Sequence, residues 1–163
     1  MKRIDVDSLV RCVEKSLMDN GFLFDITSTT QEEVKDELIF NSSFGMIANE
    51  ASEDSDFDVD IDESKFINDK FYKDNWIKVS FGDVIALICI NTEYDNLLIS
   101  AIEINDFYKN QGFGRIIVKG IEQYAEEDDF EKIVLHSFDT EAESFWEHMD
   151  YIKTDCGKMY KNI

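Results

Sequence analysis

The chain has 163 residues, with 36 Asp or Glu against 16 Lys or Arg and a formal net charge of −20. With 44% hydrophobic residues it can bury one sizeable core, and it has no apolar run of the roughly 18 residues a membrane span needs. Neither nucleic acid nor a membrane is therefore expected as a partner, and one domain over residues 1–163 is. The opening Met1-Lys2-Arg3-Ile4-Asp5 lacks the apolar stretch of a signal peptide. Cys12, Cys89 and Cys156 are too scattered for a disulfide framework or a zinc site, so they read as reduced, mostly buried thiols. A cytoplasmic location and no metal are the expectations.

Val6, Leu9, Val10, Val13 and Leu17 recur at helical spacing up to a stop near Gly21. Thr30 and Glu33 have the separation of a capping box and open a second helix through Val34, Leu38 and Ile39. Residues 41–48 read as a strand. Between about 50 and 74 lies an acidic loop or insertion. In it Asp54, Asp56, Asp58, Asp60 and Asp62 alternate with Ser55, Phe57, Val59 and Ile61, which puts carboxylates on one face of an extended chain. A calcium loop does not fit, because Val59 stands where glycine is needed and Lys65 where Glu is needed. The strip is either a solvated edge protected against aggregation or a lip that attracts cations.

Trp76–Phe81 and Val84–Ile90 flank a turn at Gly82-Asp83, and Thr92–Asn96 makes the next turn. Leu97–Ile104 is then a strand, and Ile116, Ile117, Gly120, Ile121, Tyr124 and Ala125 return to helical spacing. Residues 131–136 form a buried strand, 139–149 a helix, and 151–155 and the chain end two short strands around a turn at Cys156-Gly157.

The junction Lys109-Asn110-Gln111-Gly112-Phe113-Gly114-Arg115 joins the 97–104 strand to the helix that follows. Glycines at such a point let the backbone approach a ligand, and the first-turn N–H groups of a helix attract phosphate. The same glycines also fit a connection that merely turns. A P-loop is excluded because Arg115 and Ile116 follow Gly114, and the dinucleotide fingerprint because Asn110 replaces a required glycine. Lys109, Arg115 and Lys119 are placed to meet phosphate charge or to stand as ordinary exposed cations.

Lys109-x-x-Gly112-x-Gly114 resembles the Arg/Gln-x-x-Gly-x-Gly/Ala signature of the GNAT-type N-acetyltransferases, with Lys in first position. The segment from Asp139 through Ala142, Phe145, Trp146 and Tyr151 resembles that family's Asn-x-x-Ala-x-x-Phe-Tyr-x-x-x-Gly-Phe block. The resemblance covers about residues 76–163. It implies an α/β fold with a GNAT-like mixed sheet, an antiparallel meander plus a parallel splayed strand pair, flanked by helices. It also implies acetyl-coenzyme A as co-substrate, held by Lys109, Asn110, Gln111, Gly112, Phe113, Gly114 and Arg115. Its pantetheine would pair along Ile102–Ile104, with Asp139 and Trp146 in the positions of the family Asn and Tyr.

The reaction so implied moves an acetyl group to a primary amine, cationic given the charge of the chain: a polyamine, an aminoglycoside or a basic peptide. Glu103 and His136 are the candidate bases, since each sits on a strand that should border the cleft. His148 reads as surface-exposed. Trp146 departs from the family, because an indole N–H does not ionise usefully and cannot replace a phenol as acid. Tyr108, Tyr151 or Tyr160 could serve, the thiolate could leave unaided, or the domain could bind without turnover. The last option gives the alternative reading, a catalytically silent coenzyme A-binding or acidic protein-interaction domain. A homodimer is possible on either reading.

Overall fold

The computed structural model describes residues 2–34, 75–137 and 140–163. The expected strand at 41–48, the acidic strip, Leu38, Ile39 and Asp139 lie outside the described residues.

Helix α1 spans Val6–Asp19 and buries Leu9, Cys12, Val13 and Leu17. Asp5 caps it, its carboxylate accepting from Ser8 N–H at 3.1 Å. Strand β1, Asp25–Thr29, follows. The sequence reading did not contain this strand, because Asp-Ile-Thr-Ser-Thr offers one strongly apolar residue and no alternation to detect. The capping box is present: Glu33 N–H donates to Thr30 Oγ1, and Thr30 N–H to a Glu33 carboxylate oxygen, both at 3.3 Å. Residues 31–34 are helical behind it.

Strands β2 (Asn75–Phe81), β3 (Asp83–Glu93) and β4 (Asn96–Ile104) form the meander. The β3–β4 turn is tighter than the spacing suggested. Both strands run on to Glu93 and Asn96, leaving Tyr94, at φ 57°, and Asp95 to reverse the chain. Helix α2 (Phe113–Glu127), β5 (Lys132–His136), helix α3 (Thr140–His148), β6 (Ile152–Lys153) and β7 (Lys158–Asn162) complete the order. Among the described residues seven strands make one sheet, in the order β1-β2-β3-β4-β5-β7-β6. Every neighbouring pair is antiparallel except β4 with β5, which is parallel.

Strand β3 is buried from Val84 to Asn91, as its near-continuous apolar sequence requires of a strand covered on both faces. The main core joins α1, α2 and the sheet through Leu9, Val13, Ile117, Ile121 and Ile88, among others. A smaller cluster gathers Val34, Val84 and Leu87, with Trp76 against it.

Two irregularities shape the functional end of the sheet. Cys89 faces Ala101 and Ile90 faces Ile99, so Ser100 is the extra residue of a bulge in β4. Just before it the parallel pairing stops: Leu97, Leu98 and Ile99 pair with Ile133, Val134 and Leu135, and nothing beyond does. The two central strands therefore part company, and the last residues of β4 border a gap.

Candidate active site

A cavity of about 680 Å³ fills that gap, well within the size range of small-molecule sites. Its walls come from the end of β4 (Ile102, Glu103, Ile104), the connecting loop and start of α2, and one face of α3. Of the expected cofactor-binding residues, Ile102, Ile104, Lys109, Asn110, Gly112, Phe113, Gly114, Arg115 and Trp146 line it together. Gln111 does not; its side-chain amide turns back to donate to Phe107 O at 3.1 Å.

The loop geometry explains the two glycines differently. Gly112 sits at φ 86° as the N-cap of α2 and makes no side-chain capping bond, so an ordinary residue there would be strained. Asn110 is also left-handed, at φ 61°, and Asn is among the residues that tolerate this. At Gly114 a β-carbon would make only ordinary contacts, and it is a larger side chain that would crowd the wall. A Cβ at that position would lie 3.6 Å from the Phe145 ring and 3.8 Å from Ile104, both on the cavity wall. The uncapped amino end of α2 thus opens on the cavity, and its first-turn N–H groups lack intrahelical acceptors.

Charges around the mouth are mixed. Lys109 contacts Asp106 at 2.7 Å and Glu103 at 4.0 Å. Its ammonium is held above the ordinary lysine pKa, chiefly by the Asp106 hydrogen bond and further by the charges of Glu103, Asp106 and Glu141. Arg115 is a second cation on the wall. Lys119, the third cation the sequence offered, pairs with Glu122 at 3.1 Å and is not on the wall.

Glu103 lines the cavity with its side chain about one third exposed. His136 is exposed at the end of β5, opposite Lys158 of β7, and does not line it. Among the tyrosines, Tyr108 is on the wall. Tyr151 is 3% exposed, and burial, with Glu122 nearby, pushes its phenol far up. Tyr160 lies on β7 with Lys132 over its ring and is not on the wall. Trp146 is buried between Phe145 and Tyr151, in edge contacts of 5.0 and 4.9 Å between ring centres.

Sequence reading missed Glu141, and it placed His148 at the surface without the cavity. His148 is indeed exposed, with Nδ1 2.6 Å from Ser144 O, yet it also lines the wall. No sequence signal separates a polar helix residue that faces solvent from one that faces an open cleft.

The sequence model of the acetyltransferase (GNAT) family matches residues 37–151. No curated protein matches the chain. Among solved structures, a GNAT-family acetyltransferase from Staphylococcus aureus Mu50 aligns with a TM-score of 0.63 at 14% identity, covering 85% of this chain and 98% of that one. A GNAT-family acetyltransferase from Elizabethkingia anophelis, solved with acetyl-CoA bound, gives 0.56 at 12% identity over 86% and 98%. The ribosomal-protein-S18-alanine N-acetyltransferase of Escherichia coli gives 0.55 at 12% over 86% and 94%. At these identities the structures speak for the fold. The family match, which covers well over half of the sequence, settles membership: the chain belongs to the GNAT acetyltransferase family.

Proposed function

We propose that the protein is an N-acetyltransferase that transfers the acetyl group of acetyl-coenzyme A to a cationic primary amine. The observation that carries this reading is the uncapped amino end of α2, behind Gly112, opening on a cavity bounded by the splayed end of β4. Main-chain N–H groups of residues 113–115 are suited to a diphosphate, and Arg115 adds a cation beside them. Ile102–Ile104 offer strand backbone for an extended pantetheine. Asp139 is retained as a further pantetheine contact from the motif alone.

Acetyl-coenzyme A supplies an activated thioester. The chain supplies position, exclusion of water and proton handling. Glu103 on the wall is the base we assign, accepting the proton of the attacking amine directly or through one water. His136 is not given this step, because it stands off the wall. A thiolate whose conjugate acid has a pKa of about 8–9 is a tolerable leaving group, so departure needs no strong acid. Tyr108 is the phenol placed nearest such a role. The net charge of −20 favours a cationic acceptor through long-range attraction.

A second reading, coenzyme binding without turnover, is supported by Trp146: it is buried, and in the position that the motif resemblance gives to the family's phenol an indole cannot ionise. Release of free thiol from acetyl-coenzyme A, assayed against polyamines, aminoglycosides and basic peptides, separates the two. Acceptor-dependent thiol release is expected. Tight binding with no release across the panel would establish the silent domain. Gly114→Val, which pushes side-chain carbon toward Phe145, should weaken coenzyme binding at least about tenfold, roughly 1.4 kcal/mol. Unchanged affinity in that variant would show that the loop only turns the chain.

A further inference from the structure

Among the described residues the buried polar side chains are Asn91 and Asn105, at 8% and 2% exposure. A buried amide is costly unless its hydrogen bonds are made, so its partners constrain the backbone strongly. The two asparagines tie opposite ends of one stretch of β4 to β3: Asn91 reaches across to it from β3, and Asn105, just beyond its end, reaches back to β3. Asn91 Nδ2 donates to Ser100 Oγ at 2.8 Å, gripping the bulge residue from β3. Five residues on, Asn105 donates from Nδ2 to Val84 O and from its backbone N–H to Ile85 O, both at 2.8 Å. Its Oδ1 also accepts Phe107 N–H at 3.1 Å, starting the turn that leads to the glycine loop.

We propose that Asn91 and Asn105 are positioning residues that clamp residues 100–105 to β3 and so hold the sheet open at the cavity. The clamped stretch contributes Ile102, Glu103 and Ile104 to the wall. Its upstream clamp adjoins Ile99, the last residue of β4 that pairs with β5. A strand without the bulge would continue straight, shift the facing of every later side chain and keep pairing with its parallel neighbour. The Asn91–Ser100 bond thus sets where the sheet opens, and Asn105 sets where the strand becomes the phosphate loop. Neither acts on a reacting atom. The proposal rests on the coenzyme-binding reading for its effect on affinity, though not for its effect on the strand.

Ser100 is exposed, so its hydroxyl can be removed with little threat to folding. Ser100→Ala should weaken coenzyme A binding by about fivefold, the worth of one hydrogen bond, and should lower the melting temperature modestly, because the buried Asn91 amide loses that acceptor. Ser100→Thr, which keeps the hydroxyl, should restore affinity. Asn91→Ala combined with Ser100→Ala should lose no more than Asn91→Ala alone, because the two share the bond. Asn105→Ala should weaken binding comparably. Wild-type affinity in Ser100→Ala, or a Ser100→Thr variant as weak as the alanine, overturns the proposal. Should the wild-type protein itself fail to bind coenzyme A, the acetyltransferase reading falls, and hydrogen exchange decides the clamp alone. Backbone amides of residues 100–105 should then exchange faster in Ser100→Ala and Asn105→Ala than in wild type or Ser100→Thr. Equal exchange in all four overturns it.

Discussion

Asp129 and Asp150 each follow a helix in left-handed conformation, at φ 54° and 67°. Phe130 N–H reaches back to Ala125 O at 2.9 Å and Tyr151 N–H to Trp146 O at 3.0 Å, the six-residue closure that normally takes glycine at the turning position. Gly21 fills that role after α1, with Phe22 N–H on Leu17 O at 2.9 Å. An aspartate at such a point meets both the crowding of its Cβ and the negative end of the helix dipole. Asp129→Gly and Asp150→Gly should each stabilise the fold by roughly 0.5–1 kcal/mol in urea titrations. The matching Asn variants report the charge alone, so a Gly variant no better than its Asn counterpart would show that the backbone is relaxed. At this scale the sequence was legible where a residue type has few uses. The spacing of Gly112 and Gly114 marked the loop, whereas Glu141 and His148 resemble any charged helix residue. Glu103 and His136 were both picked because each sits on a strand that should border the cleft; Glu103 lines the cavity and His136 does not, a difference that the chain order of the strands does not convey.

The α1–α2 contact shows what periodicity conveys and what it omits. Apolar spacing located both helices, since each must hide one stripe, but it could not say that they hide those stripes against each other. Gly120 makes the pairing possible. A Cβ there would fall 2.6 Å from Val13 Cα and 3.0 Å from Cys12 O, and Ser16 Oγ donates across to Ile116 O at 2.7 Å. Gly120→Ala must push backbone against backbone, so it should destabilise by about 1–3 kcal/mol despite the better helix propensity of alanine. Thermal melts check this; a variant at or above wild-type stability would mean that the helices separate easily. The bulge in β4 was illegible for a related reason: its extra residue is defined only by pairing with β3. Strands β2 to β5 were recognised because each carries an apolar run, which β1 does not.

For the molecule as a whole, alkaline pH should be the weak side. Burial, with Glu127 beside it, raises the Cys12 thiol from 9.0 to about 11, and burial raises the Tyr124 phenol from 10.0 to about 12. Both are neutral when protonated, and the unfolded chain gives up these protons first. Their contribution is fully present below about pH 9 and is lost as pH climbs through the folded values. Melting temperature should therefore fall between pH 9 and about 11, and Cys12→Ala should flatten the first part of that fall. A melting temperature constant over this range would show that neither group is sealed. The rear of α2 carries a consequence for how anions are received at its front. At Gly120 the helix is seated directly against the α1 main chain, a close backbone contact that opposes sliding or rotation. On the proposed coenzyme reading, amides held in place beforehand should leave little reorganisation entropy to lose on binding.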